Sequence, residues 1–202
     1  MDFPQTIELK ARVQPLDTAL FRYPFRVRVQ GDKAVVMDLH GTDYFCHVFH
    51  YPGFRYFASF GKRGEAPEEM LSAENVRWNG DFLWMLDAGK SEINRYGFIS
   101  SGGSLSRQET VRLDEEMFRP LDFVQYDDTT FVIPDYSGDS RFCWVDAKGR
   151  LLRRTGIIPT ANEDALENAR PALAQAWRSF IDYNPRNGVL AAVTQLGEVL
   201  EV

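Results

Sequence analysis

The stretch FRVRVQGDKAVVMDLHGTDYFCHVFHYPGFRYFASFG, from Phe25 to Gly61, reads as one four-stranded antiparallel sheet. Runs of β-branched and aromatic residues alternate in it with the short turn sequences GD, HGTD and PG. Turns this short join neighbouring strands as hairpins. The second strand, AVVM, is apolar on consecutive residues, which indicates that both faces of the sheet are buried.

The same unit recurs along the chain at a spacing of about 48 to 49 residues. A shift of 97 places residues 35–61 on 132–158 without a gap, and a shift of 49 places residues 78–98 on the first unit. Units of this length, each a sheet packed between two neighbours, are typical of β-propeller blades. The sequence therefore predicts one all-β propeller domain over residues 1–202. Its blades are expected at about 20–61, 74–108, 120–158 and 181–202.

Two segments fall outside the repeat. Residues 6–13, TIELKARV, alternate apolar and polar side chains and are predicted to form a lone strand before the first blade, of the kind that in closed propellers often completes the last blade. Residues from about 160 to 180 are Ala-rich, with apolar residues at helical spacing, which predicts a helical insert between the third and fourth blades. Pro171 starts a helix or breaks one, so we expect two short helices or one kinked helix. Such an insert either packs on the propeller rim or binds a partner.

The composition is that of a globular protein that does not bind nucleic acid. The chain is 44% hydrophobic and carries a net charge of −6, whereas a phosphate-binding surface needs clustered Lys and Arg. The longest apolar runs, about five residues, are too short to span a membrane. Residues 1–4 lack the features of a signal peptide. The protein is therefore cytoplasmic, or it is exported and its signal has been removed.

Several repeat features carry a family resemblance. They are Asp38, Asp87 and Asp135 at the ends of second strands, the blade junction FGKRGEAPEEM at 60–70, and Asn184, Pro185 and Gly188 at the start of the fourth unit. Over residues 20–202 this pattern resembles the bacterial TolB-like six-bladed propellers built from NHL-type repeats. The resemblance implies an exported protein, in the periplasm or at the cell surface as a lipoprotein.

Six blades of roughly 49 residues need about 300 residues, more than this chain contains. Three and a half to four blades of a six-bladed ring would leave two apolar blade faces bare, and the chain would then self-associate. The alternative is a closed four-bladed ring in which TIELKARV supplies the missing strand of the last blade.

The residues that usually carry chemistry do not converge in this pattern. His47 and His50 point to opposite faces of one strand, so the three histidines, with His40, predict no metal site. Cys46 and Cys143 occupy equivalent positions two blades apart, too far for a disulfide, and are predicted to be free and buried. The sequence indicates no catalytic residue and no cofactor. The repeated aspartates are interpreted as caps that accept backbone N–H bonds from the following loops.

The candidate site lies at the starts of the first strands, which line the central channel of a propeller. The repeat places one polar residue there in each blade, and these are Arg26, Asn75, Asp122 and Asp182. Polar residues that converge on an axis form a small-molecule or metal site, or merely line a water-filled channel. The set loosely resembles the calcium site of six-bladed lactonases, although Arg26 would repel a cation.

Two functional classes follow. In the first, the protein is a non-catalytic platform that binds a protein, peptide or glycan through exposed aromatic residues. The residues proposed for that role are Tyr44, Trp78, Phe118 and Tyr136. In the second, it is a channel-centred metal-dependent hydrolase or lactonase-like enzyme. The sequence favours the first, because the acid, base and ligand set of the second is incomplete.

Overall fold

Four antiparallel sheets follow one another along the chain like the blades of a propeller. The structure, a computed structural model, describes residues 5–15, 21–99, 103–160, 163–196 and 198–202. Every strand in this part of the chain pairs with its neighbour in sequence, so each blade is a meander. The predicted all-β propeller fold is confirmed.

Three blades have four strands and the last has three. The first blade contains β1 (Pro24–Gln30), β2 (Lys33–Asp38), β3 (Tyr44–His50) and β4 (Arg55–Lys62). The second contains β5 (Ala73–Asn79), β6 (Phe82–Asp87), β7 (Glu92–Phe98) and β8 (Leu105–Arg112). The third contains β9 (Val124–Asp127), β10 (Thr130–Pro134), β11 (Phe142–Asp146) and β12 (Leu151–Thr155). The fourth contains β13 (Ser179–Asn184), β14 (Val189–Thr194) and β15 (Leu200–Glu201).

The insert between the third and fourth blades forms two short helices, as predicted. These are α1 (Glu163–Asn168) and α2 (Arg170–Ala176). Pro171 lies in the first turn of α2, where the missing N–H breaks no helical hydrogen bond. The insert packs on the third blade: Arg170 forms an ion pair with Asp139, and Ala174 is buried.

The core consists of apolar clusters between consecutive blades. The first two blades share a cluster that includes Val35, Met37 and Met85, and the second and third share one that includes Leu86 and Phe131. A smaller cluster joins the third and fourth blades through Val132 and Ile181. In the part of the chain that the structure describes, no fourth cluster joins the last blade to the first. Val27 in the first blade and Val193 in the last are 54% and 48% exposed, so the four blades form an arc that is open on one side.

The predicted strand at residues 6–13 is wrong. These residues form no strand, and Ile7, Leu9 and Val13 are 67%, 88% and 89% exposed. The following Gln14 donates a hydrogen bond to the carbonyl of Gly53, in the first blade and not the last. The edge offered by the last blade is only two residues long, which is too short to align an eight-residue strand. Closure of a four-bladed ring by TIELKARV is therefore not observed.

The two cysteines are free and buried, as predicted. Cys46 packs in the cluster between the first two blades, and Cys143 packs in the cluster between the second and third. Burial raises the pKa of Cys46 well above its usual range and raises the pKa of Cys143 to about 12. Both therefore act as small apolar core residues.

Candidate functional site

The first strands of the four blades bring polar side chains to the axis in two layers. The upper layer consists of first-strand residues that pair with the residue just before the repeated aspartate. Arg26 pairs with Met37, which precedes Asp38, and Asn75 pairs with Leu86, which precedes the aspartate of the second blade. In the third blade Asp122 lies two residues before Val124, which pairs with Val132, and so has the same place. Three of the four predicted site residues thus occupy equivalent positions.

Asp182 belongs to the second layer, and its predicted equivalence with Arg26 is wrong by two residues. It pairs with Ala191, which lies three residues before Thr194, the equivalent of the repeated aspartate. Arg28 has the same place in the first blade, because it pairs with Val35, three residues before Asp38. The reason is a longer first hairpin: four residues, 185–188, separate β13 from β14, whereas two separate β1 from β2. Phe180 therefore takes the place in the upper layer that was assigned to Asp182.

Arg77 connects the predicted residues, although it was not one of them. One terminal nitrogen donates to Asp182 Oδ1 at 2.8 Å, and the other donates to Asp122 Oδ1 at 3.2 Å and to the carbonyl of Ile181. Asn75 Nδ2 donates to the same Asp122 oxygen. Three blades thus meet at one guanidinium, whose side chain is only 11% exposed.

Asp122 is the buried centre of this network. Its residue is 1% exposed, and its carboxylate also accepts the N–H groups of Phe123, at 2.8 Å, and Ile181, at 2.9 Å. A buried carboxylate needs such partners, because burial without them is very costly. Asp122 therefore joins the second, third and fourth blades at the axis.

Asp182 bridges the open side of the arc. Besides Arg77 it faces Arg28, whose terminal nitrogen lies 3.5 Å from Asp182 Oδ2. Partial burial favours a higher pKa for Asp182, but the charges of Arg77 and Arg28 outweigh this effect, and its pKa lies below the ordinary value. The first and fourth blades thus approach one another through charged side chains at the axis.

A cleft of about 380 Å³ opens beside this network, at the end of the axis where the first hairpins lie. The first strands of all four blades line it. Its walls combine charged and aromatic side chains, including Arg28, Arg77, Trp78, Tyr126, Asp182 and Tyr183. The rings of Tyr126 and Tyr183 lie 4.9 Å apart, and Tyr126 also meets Trp144 edge to face at 5.0 Å. The cleft therefore offers a preformed aromatic wall beside a charged floor.

The aromatic residues that were predicted as exposed anchors differ in how much of each is exposed. Phe118 and Tyr44 are 56% and 36% exposed. Trp78 is half-buried, where its Nε1 donates to the carbonyl of Arg28 at 3.4 Å and its ring lines the cleft. Tyr136 is buried and donates to the carbonyl of Ser179, so its prediction as an exposed anchor is wrong. Its position next to the third blade's aspartate places it under the helical insert.

The repeated aspartates act as caps, as predicted. Asp87 accepts four backbone N–H bonds, from Leu71, Ser72, Gly89 and Lys90 at 2.9 to 3.2 Å. Asp38 accepts three in the same manner, from Arg22, Tyr23 and His40. Each aspartate therefore connects the segment that precedes its blade with the loop that follows the second strand.

The third blade departs from this pattern because of a proline. Asp135 accepts an N–H bond only from Ser137 among the described residues. Pro120 stands where Tyr23 and Ser72 donate in the other blades, and proline has no N–H. Arg154 forms an ion pair with the second carboxylate oxygen, with its Nε 3.4 Å away, but this oxygen accepts no hydrogen bond within the described residues.

Substitution of Asp38 gives a stability loss that depends on pH. Burial favours a higher pKa for Asp38, but three backbone N–H donors hold its pKa below the ordinary value. Its contribution is therefore complete above the unfolded pKa of about 4 and is lost as the pH falls through the folded pKa. We expect Asp38→Asn to cost about 1–2 kcal/mol of unfolding free energy at pH 7 and clearly less at pH 3.

Urea denaturation of the two proteins at both pH values measures this difference. Asp43→Asn, at an exposed aspartate in the next loop, is the control and should cost little at either pH. An Asp38→Asn cost that is equal at pH 7 and pH 3 would show that the capping carboxylate does not act through its charge.

The donor set at the axis does not fit a metal ion. A calcium site needs six to eight oxygen ligands that are free to face the ion. Here Asp122 and Asp182 are already bound by Arg77, and Arg26 and Arg28 add positive charge. Within the described residues, no three His, Cys, Asp or Glu side chains are grouped so that they would hold a metal. The predicted likeness to a lactonase calcium site is therefore not supported by the geometry.

The fold and the axial cleft define a β-propeller with a charged, aromatic-lined centre. The chain belongs to the TolB-like 6-blade propeller-like family, whose model matches residues 2–202. A comparison with curated proteins gives no match. None of the helices in the described part of the chain is long and apolar enough to cross a membrane.

Solved structures show the same fold at low sequence identity. A "putative exported protein" from Bacteroides fragilis is 15% identical, with a TM-score of 0.54 over 74% of this chain and 42% of that one. A "putative 6-phosphogluconolactonase" from Bacteroides uniformis is 13% identical, with a TM-score of 0.53 over 86% of this chain and 50% of that one. A protein of the same description from B. fragilis is 16% identical, with a TM-score of 0.51 over the same shares. The chain thus spans half or less of the length of these proteins.

Proposed function

We propose that this protein is a non-catalytic propeller that binds a peptide segment of a partner protein in the axial cleft. The observation that carries the proposal is the wall of Trp78, Tyr126 and Tyr183 beside the arginines of the axis. Tyr, Trp and Arg are the residues that supply most of the energy at protein interfaces. A concave site with a few polar groups is the usual form of a ligand pocket.

The alternative function, a metal-dependent hydrolase or lactonase, is less well supported. Two of the similar structures carry the description "putative 6-phosphogluconolactonase", but at 13% and 16% identity they share only the fold with this chain. The carboxylates that such a metal would need are engaged by Arg77. We propose an extracytoplasmic location, since one similar structure is described as an exported protein.

Binding to arrayed peptides and glycans tests the proposal. We expect the wild-type protein to bind a subset of peptides, and Tyr126→Ala to weaken that binding about tenfold or more, the loss typical of a central aromatic anchor. Tyr56→Ala is the matched control, because Tyr56 is 45% exposed on the outer strand of the first blade while Tyr126 is 37% exposed in the cleft.

Three outcomes would contradict the proposal. One is the absence of any bound peptide. Another is equal peptide binding by wild type and Tyr126→Ala. The third is binding to glycans alone, which would assign the cleft to a different class of ligand.

A further inference from the structure

Arg26 stands apart from the other charged groups of the axis because its guanidinium has no anionic partner. In the part of the chain that the structure describes, no carboxylate lies within ion-pair distance of it, and its Nε is buried without a hydrogen bond. Its guanidinium carbon lies 5.8 Å from the centre of the Phe180 ring, on the other side of the opening, and 5.4 Å from that of Phe25. Asp122 and Asp182 act on Arg26 only as nearby charges beyond ion-pair distance, together with Arg28 and Arg77.

The same imbalance extends to the neighbouring arginines. Arg28 follows two residues later on the same face of β1, and its Nε is also buried without a partner, as is that of Arg77. Three guanidinium groups share two carboxylates at the axis, Asp122 and Asp182, in a protein whose net charge is −6. Asp127 and Asp128 also line the cleft beside these groups, so an anion would be attracted by the unpaired donors of Arg26 and Arg28 and not by a net positive charge of the cleft.

Burial of these charged groups with unused hydrogen-bond donors is unfavourable in free energy, and a bound anion would offset this. Burial, and the proximity of like charges, lower the pKa of both Arg26 and Arg28 from the ordinary arginine value. A guanidinium remains charged in proteins, so its unused donors need an acceptor instead of the loss of a proton. The planar fork of arginine matches the two oxygens of a carboxylate or phosphate group.

We propose that the gap between the first and fourth blades at the propeller axis is an oxyanion site, in which Arg26 and Arg28 bind a carboxylate or phosphate group. This inference rests on the proposed function and names the group of the ligand that is recognised: an acidic or phosphorylated side chain of the bound peptide. Asp182 limits the affinity, because it competes with the anion for Arg28 and Arg77.

An NMR titration tests the site directly, with inorganic phosphate and with acetate as separate probes at constant ionic strength. The ¹⁵N resonances of the arginine Nε groups report the contact. We expect saturable shifts of Arg26 and Arg28, and a dissociation constant that rises about tenfold in Arg26→Gln. Asp182→Asn should act in the opposite direction and tighten binding about threefold, the size expected for an exposed charge pair.

Two controls carry the same charge changes away from the axis. Arg55→Gln alters an exposed arginine at the outer strand of the first blade, and Asp43→Asn alters an exposed loop aspartate. Neither should change the dissociation constant by more than experimental error. Amide spectra establish that each variant is folded, and Asp182→Asn tests the site even if Arg26→Gln does not fold, since Asp182 has a 65% exposed side chain.

The proposal is overturned if neither probe gives saturable shifts of the arginine resonances, or if Arg26→Gln and Asp182→Asn behave like their controls. A response to phosphate alone assigns the site to phosphorylated ligands, and a response to acetate assigns it to carboxylates. If these shifts fail while Tyr126→Ala weakens peptide binding as predicted, the oxyanion site is wrong and the binding function stands. If the shifts occur while Tyr126→Ala leaves peptide binding intact, the peptide function is wrong and the oxyanion site stands.

Discussion

The 202-residue chain should self-associate at micromolar concentration, because both ends of its arc of blades expose an apolar face. Val35 and Met37, which pair with Arg28 and Arg26, pack against the second blade. The alternate residues of β1 therefore face away from it. These are Phe25, Val27 and Val29, which are 41%, 54% and 48% exposed. At the other end, the free face of the last blade exposes Val189, Val193 and Leu200 by 36%, 48% and 64%.

The first of these faces is covered only in part. Phe21 packs against His47 and Phe49 on it, with ring centres 5.3 and 5.9 Å apart, but β1 remains open. Contiguous apolar surface of this kind on a soluble protein usually marks an interface. Apolar blade faces that have no neighbouring blade therefore favour association between copies.

Light scattering measures this expectation. We predict a mass well above the 23.2 kDa of one chain, and a return toward the monomer in the double variant Val27→Lys, Val193→Lys. Leu152→Lys is the control, since Leu152 is 58% exposed on the outer strand of the third blade and not on an end face. A monodisperse 23.2 kDa monomer would show that the exposed faces do not bind each other.

Removal of Arg77 should cause the largest loss of stability among single substitutions at the axis. It leaves Asp122, which is 1% exposed, without its cation, and it removes the hydrogen bonds that Arg77 itself donates to the third and fourth blades. Breaking a buried ion pair from one side costs about 3–5 kcal/mol. We therefore expect Arg77→Ala to lower the free energy of unfolding by about that amount.

The matched control is Arg112→Ala. Arg112 also faces a carboxylate, Glu92 at 3.5 Å, but its side chain is 85% exposed, so its loss should cost less than about 1 kcal/mol. Urea denaturation at low protein concentration compares the two variants. A cost below about 1 kcal/mol for Arg77→Ala would mean that the axial network does not hold the blades together.

The blades themselves could be predicted because each unit carries the same local signals. The hairpin glycines Gly31 and Gly80 have positive φ values of 57° and 53°, as the two-residue turns require. Asp38 and Asp87 recur because each satisfies the backbone donors of two loops at once. Strand propensity, turn residues and capping residues all indicate the same meander, so the fold could be predicted from the sequence.

The site was readable only in part, because it depends on register and on contacts between blades. Arg77 could have been found, since the 49-residue shift that aligns Arg26 with Asn75 also aligns it with Arg28. The two extra residues in the fourth blade's first hairpin were not recognisable, and they moved Asp182 by one layer. The segment 6–13 has a strand pattern, but whether a strand forms depends on an edge to pair with, which its own residues do not specify.

Calcium titration by differential scanning fluorimetry tests most directly whether the axial charges serve ligand binding and not metal chemistry. Because Asp122 and Asp182 are bound by arginines, we predict no change in melting temperature up to the millimolar range typical of extracellular calcium sites. Phosphate over the same range should raise the melting temperature of wild type clearly more than that of Arg26→Gln. Saturable stabilisation by calcium that is lost in Asp122→Asn would contradict this account.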